Sequence, residues 1–175
     1  MFHKMLVAID DTDIGRHVFD EALYVAKKTG AVMMLLHVVS PFDDKYPNPV
    51  YIEPYSFYPT LHTEAVKNYM GQWELLKQEG IEFLRLLCDR AVSEGVTIEF
   101  TQNSGDPGRM ICDVARNWEA DLIMLGRRGR RGLSEFFLGS VSNYVLHHAP
   151  CSVLTVQGAI DVITETPQEA EVTVT

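Results

Sequence analysis

Cysteine is scarce in this sequence, which contains three in 175 residues, all far from one another. Cys88, Cys112 and Cys151 match neither a CxxC pair nor the Cys/His spacing of a zinc site, so no such metal is predicted. Each stands in an apolar stretch, which favours buried free thiols. An odd number of cysteines without an N-terminal signal peptide indicates a reducing compartment, and we expect a cytoplasmic protein.

Long apolar runs and an excess of positive charge are also missing. No run approaches the roughly 18 residues of a bilayer-spanning helix, so we expect no membrane span. The formal net charge is −9, from 15 lysines and arginines against 24 acidic residues. Because a negative surface repels phosphate backbones and anionic lipids, we expect neither nucleic acid nor membrane as a partner. The composition is otherwise that of one globular domain.

Short apolar runs alternate with helical patterns along most of the chain. Continuous apolar runs typical of buried parallel strands, together with one β-branched alternating run, predict five strands at 5–9, 31–39, 96–101, 122–125 and 151–156. Apolar residues at helical spacing predict helices between them, at 12–29, 62–94 (interrupted near Gly71 or Gly80), 107–119 and 133–148. Thr12 or Asp13 is the expected N-cap of the first helix. This alternation predicts a parallel α/β sheet, whose ligands bind at the carboxyl ends of the strands.

Two segments do not follow the alternation. Residues 40–60 contain five prolines and six aromatic residues. We interpret them as a long loop that packs on the domain or on a partner subunit. The tail, residues 158–175, is acidic and rich in Thr and Glu, and both an edge strand and disorder fit its composition.

The stretch GRRGRRGLSEFFLGS, residues 126–140, concentrates four arginines and four glycines in an acidic chain. Glycines allow backbone N–H groups to surround a phosphate closely. A helix that starts near Gly139 adds donors and a favourable dipole, and the hydroxyls of Ser140 and Ser142 suit the same ligand. A solvated basic turn would explain only the polarity, so the pattern favours an anion-binding loop.

The spacing of Gly126, Gly129, Gly139 and Ser140 resembles the signature G-x2-G-x9-G-[ST] of the ATP-binding universal stress protein family. MLVAIDDTD, LLHVVS, SGDPGRMICDVA and ADLIMLG extend the likeness over roughly residues 2–157. The resemblance implies one domain at 1–157 with a five-stranded, mainly parallel sheet flanked by helices. This is the three-layer, Rossmann-like sandwich of the adenine-nucleotide alpha-hydrolase-like (HUP) class.

The resemblance also implies a cofactor, ATP or another adenine nucleotide, with Mg²⁺ or Mn²⁺ often bridging its phosphates. Asp10 falls at the adenosine part, with Ala8 and Ile9 lining the same wall, and Val38 falls beside the adenine. The positions near the ribose and the phosphates are Leu125, Gly126, Arg128, Gly129, Gly139, Ser140, Val141 and Ser142.

This chain departs from the family pattern at two places. Ala8 replaces a proline of many members, and arginines at 127 and 128 replace serine or histidine. These changes keep the glycines and add positive charge, which favours phosphate.

Three functions remain open at this stage. The first is a regulatory protein that responds to ATP, in which slow hydrolysis stays possible. The second is a related enzyme, but the loop IDDTDIG has neither the HxGH nor the SGGxD pattern of such enzymes. The third is a nucleotide-free interaction module, against which the retained glycines and Ser140 count. The resemblance also implies a homodimer through residues 151–156, with higher assembly through the aromatic loop.

Overall fold

The computed structural model describes residues 1–40, 59–127 and 139–157. Most of the predicted loop 40–60 and the whole predicted tail 158–175 lie outside the described residues. The elements, in chain order, are β1 (Lys4–Ala8), α1 (Asp13–Thr29), β2 (Val32–Val39), α2 (Pro59–Ser93), β3 (Ile98–Ser104), α3 (Pro107–Trp118), β4 (Leu122–Arg127), α4 (Ser140–His148) and β5 (Ser152–Gln157).

The five strands form one sheet in the order β3-β2-β1-β4-β5. The sheet was predicted to be mainly parallel. All four pairings of the described strands are parallel, which confirms this prediction. The first strand of the chain is therefore central, with Ala8 in register with Leu36 on one side and Leu125 on the other. The strand order reverses at β1 and β4, and the crevice between their carboxyl ends is where such sheets bind ligands.

The two faces of the sheet carry separate apolar clusters. On one face, β1 and β2 pack against α1 and α2 through buried side chains such as Val7, Phe19 and Leu84. On the other face, β1, β2 and β4 pack against α3 and α4 through Leu6, Ile111 and Val145 among others. The predicted three-layer sandwich is confirmed.

Side-chain caps begin two of the helices. Of the two predicted N-caps of α1, the structure has Thr12, and Gly30 ends that helix with a φ of 72°, a conformation that glycine adopts without strain. Asp106 accepts a hydrogen bond from the backbone N–H of Arg109 at 2.9 Å and caps α3. A cap was thus predicted for α1 alone, and the cap of α3 is a finding of the structure.

The second helix runs without a break over 35 residues, so the prediction of an interruption near Gly71 or Gly80 was wrong. At Gly80 the helix passes directly over β2, because a Cβ there would lie 2.7 Å from Nδ1 of His37. At Gly71 a Cβ would meet nothing within 4 Å. Gly80 therefore permits close packing of the helix on the sheet, and Gly71 is tolerated on an open surface.

Two other predicted boundaries differ from those in the structure. The last helix begins at Ser140 rather than near Leu133, because Gly139 has extended backbone (φ −58°, ψ 155°) that ends helical geometry; residues 133–138 lie outside the described part. Strand β3 spans Ile98–Ser104 rather than 96–101. Val96 instead belongs to the turn after α2, where its N–H donates to the carbonyl of Ala91.

The three thiols are free, as predicted, but Cys112 alone is buried, while Cys88 and Cys151 are half-buried. Desolvation is the main cause that raises the pKa of each thiol above its ordinary value. For Cys88 the pKa rises to about 11, with a further contribution from the charge of Asp89. All three cysteines are therefore packing residues with little thiolate near neutral pH. Among the described residues, no helix is both long and apolar enough to cross a bilayer.

Candidate functional site

The crevice begins where β1 ends and the chain turns into α1. The carboxylate of Asp10 accepts a hydrogen bond from the hydroxyl of Thr12 at 2.6 Å. The same hydroxyl oxygen accepts one from the N–H of Gly15 at 3.1 Å. The predicted site residue Asp10 is thus linked to the first turn of α1 through Thr12.

Gly15 and Gly126 let that first turn lie close to the sheet. A Cβ on Gly15 would lie 2.0 Å from the carbonyl oxygen of Asp10 and 2.9 Å from its Oδ1. A Cβ on Gly126 would lie 2.6 Å from Cγ2 of Ile14. The ends of β1 and β4 are therefore both in contact with α1, and the missing side chain of Gly126 serves this packing.

Four of the predicted site residues lie on the opposite face of the sheet, toward α3 and α4. Leu125 belongs to the apolar cluster there, and Ala8, Val38 and Val141 are partly buried against it. The side chain of Ile9 belongs to the cluster on the α1 and α2 face, so it does not share the wall that was predicted for it with Ala8. Successive residues of a strand point to opposite faces, which accounts for the separation.

The N-terminus of α4 begins on Gly139, which has no side chain to cap it. This contrasts with α1 and α3, whose first N–H groups are capped by Thr12 and Asp106. Ser140 is exposed, whereas Ser142 is 2% exposed and its hydroxyl lies 3.4 Å from the carbonyl oxygen of Gly139. The accessible hydroxyl at this helix end is therefore that of Ser140.

The basic loop is the arginine- and glycine-rich stretch 126–140. The structure describes only its two ends, residues 126–127 and 139–140. Arg127 is the last residue of β4, half-buried and in register with Gln157 of β5. Arg128 and Gly129, predicted to contact phosphate, lie outside the described residues. Within the described ranges, no three His, Cys, Asp or Glu side chains come together as a metal site.

Sequence reasoning did not identify Thr12 and Gly15 as parts of this site. Thr12 was expected only as a helix cap, and Gly15 was not considered. A glycine in the first turn of a predicted helix was the available signal, since glycine weakens a helix unless close packing requires it.

The family model of the universal stress protein family matches residues 1–157. The chain therefore belongs to the universal stress protein family. A universal stress protein of Synechocystis is 37% identical over 163 residues, which cover 89% of this chain and 98% of the relative. One of Bacillus subtilis is 33% identical over 157 residues, which cover 90% of this chain and 100% of the relative.

Solved universal stress proteins share the fold at lower identity. A universal stress protein in complex with cAMP has a TM-score of 0.59 at 22% identity, over 90% of this chain and 98% of that protein. A family member from Arabidopsis thaliana with AMP bound has a TM-score of 0.56 at 23% identity, over 95% and 97%. At these identities the likeness establishes the fold, and the two nucleotides belong to those two proteins.

Proposed function

We propose that this protein binds ATP in the crevice between β1 and β4 and acts as a nucleotide-dependent regulatory protein of the stress response. One observation supports it above the others: α4 starts at Gly139, which offers no capping side chain, and Val141 in its first turn packs against the same apolar cluster as Ala8, Val38 and Leu125. A helix N-terminus suits phosphate oxygens, and an apolar wall suits a base. Nucleotide-bound relatives of the same fold are consistent with this pairing.

Each part of the nucleotide has a suitable counterpart in this proposal. The adenine packs on Val38 and Ala8, and Asp10 accepts hydrogen bonds from the adenosine part. The phosphates take the first N–H groups of α4 and the hydroxyl of Ser140, with Arg128 and Gly129 from the loop. Mg²⁺ or Mn²⁺, when present, would be held chiefly by the phosphate oxygens.

The binding proposal is tested with the purified full chain. The protein is denatured, any released nucleotide is identified by chromatography, and the emptied, refolded protein is titrated with ATP and Mg²⁺ by calorimetry. We expect micromolar binding, weakened at least about tenfold by Gly129→Ala combined with Ser140→Ala, because both alter the phosphate contacts. Ser93→Ala removes an exposed serine at the far end of α2 and should leave the affinity unchanged.

Absence of both nucleotide and binding in the wild-type protein would overturn the proposal. It would favour the interaction module, with the arginines of the basic loop as a docking surface for an acidic partner. Equal affinity of the wild type and the double variant for ATP would instead show that the phosphates do not contact the basic loop.

We further propose a homodimer formed by pairing of β5 with its copy across a two-fold axis. β5 is an edge strand of the sheet, and Leu154 on it is 44% exposed. An open apolar edge is a site of strand pairing, and pairing with a second copy would cover it. Analytical ultracentrifugation at micromolar concentration should show a dimer, and a monomer throughout that range would contradict the proposal.

A further inference from the structure

Thr12 connects the start of α1 with the Asp10 carboxylate through two hydrogen bonds. The backbone N–H of Gly15 donates to its Oγ1 at 3.1 Å, and Oγ1 lies 2.6 Å from Oδ1 of Asp10. A threonine hydroxyl has one hydrogen to donate. Because the first contact uses the oxygen as an acceptor and a carboxylate can only accept, that hydrogen points at Asp10.

The backbone restrains Asp10 from a second side. The N–H of Thr12 donates to the carbonyl oxygen of Asp10 at 2.9 Å. The same carbonyl lies against the Cα of Gly15, where a Cβ would come within 2.0 Å of it. A carboxylate accepts about four hydrogen bonds, so accepting one from Thr12 is compatible with accepting others from a ligand.

The cap of α3 shows that this arrangement exceeds what capping requires. There the carboxylate of Asp106 accepts directly from the N–H of Arg109. At α1 a hydroxyl does the capping, and the nearby carboxylate accepts a hydrogen bond from that hydroxyl. The helix start is thereby capped while the acidic group is held at the end of β1.

We propose that Thr12 is a positioning residue of the nucleotide site. Its hydroxyl holds the Asp10 carboxylate in the orientation that receives donors of the ligand, beyond its role as a helix cap. The inference rests on the proposed function, because it assumes that Asp10 contacts the nucleotide. It adds a residue and a contact that act through Asp10.

The test compares Thr12→Val, Thr12→Ser and Asp106→Ala by calorimetric titration with ATP and Mg²⁺ and by thermal unfolding without nucleotide. Thr12→Val and Asp106→Ala each remove one helix cap, so both should lower the unfolding midpoint by about 2–4 °C. Only Thr12→Val should weaken ATP binding, by about tenfold. Thr12→Ser keeps the hydroxyl and should stay within about twofold of the wild type.

A second set of variants tests whether Thr12 acts through Asp10. In an Asp10→Ala background, Thr12→Val should cost less than about twofold in affinity, because the group that it positions is gone. The same tenfold cost in that background, or equal losses for Thr12→Val and Asp106→Ala, would overturn the inference. If Asp10→Ala abolishes measurable binding, the comparison of valine with serine at residue 12 still decides. Failure of the wild type to bind ATP would contradict the proposed function itself, a distinct result.

Discussion

Gly15→Ala should lower the free energy of unfolding by about 2 kcal/mol or more, although alanine is the better helix former. The added Cβ would lie 2.0 Å from the carbonyl oxygen of Asp10, a backbone atom that cannot move aside without shifting the end of β1. The unfolding midpoint should fall by roughly 4–8 °C, since about 1 kcal/mol corresponds to 2–4 °C in a chain of this size. Differential scanning calorimetry measures this shift.

The same variant should also weaken the proposed ATP binding, because moving the Asp10 backbone moves its carboxylate. The control is Gly71→Ala, which adds the same methyl group to a helical glycine with open space around it. An unfolding midpoint of Gly15→Ala equal to that of the wild type would show that the turn between β1 and α1 relaxes at no cost. The tight contact would then have no energetic role.

The second large effect is expected in α2, where replacing either of two glycines by alanine should change the free energy of unfolding in opposite directions. Gly71→Ala should raise the free energy of unfolding by up to about 1 kcal/mol, because alanine has the higher helix propensity. Gly80→Ala has the same propensity gain but should lower it by about 1–2 kcal/mol. Its Cβ would lie 2.7 Å from Nδ1 of His37 and 3.1 Å from Nε2 of Gln102, side chains that lie between the helix and the sheet.

Urea denaturation of both variants, with unchanged slopes, measures the difference of about 1–3 kcal/mol. A double variant, Gly80→Ala with His37→Ala, locates the cause. If the clash is with the imidazole, the two changes should be less costly together than the sum of their separate costs. Equal stabilities of Gly71→Ala and Gly80→Ala would show instead that α2 moves away from the sheet without penalty.

These glycines show where sequence reasoning about the fold reached its limit. The apolar runs and the expected cap at Thr12 or Asp13 predicted the elements, because both are local signals. A glycine in a helical pattern has two local interpretations, a break or a tolerated residue. The packing of Gly80 over His37 depends on a residue 43 positions earlier in the chain, which no local pattern reveals.

For the candidate site, too, the sequence located residues but not their contacts. Spacing and resemblance pointed to Asp10, Gly139 and Ser140, and the structure places these at the end of β1 and the start of α4. The resemblance assigns positions but not the face on which a side chain lies, so the separation of Ile9 from Ala8 was missed. The hydrogen bond from Thr12 to Asp10 also depends on backbone geometry that the sequence does not specify.

The central position of β1 has a consequence for how the molecule folds. Its pairing with β2 joins segments that are close in the chain, whereas its pairing with β4 joins Met5 with Leu122. Closing so long a loop is slow compared with forming the first βαβ unit. During synthesis, the edge of β1 that pairs with β4 therefore stays unpaired until the second half of the chain is made. The crevice forms only when β4 pairs with β1. The proposed ATP binding would then appear late in folding and would stabilise the completed sheet rather than its first half.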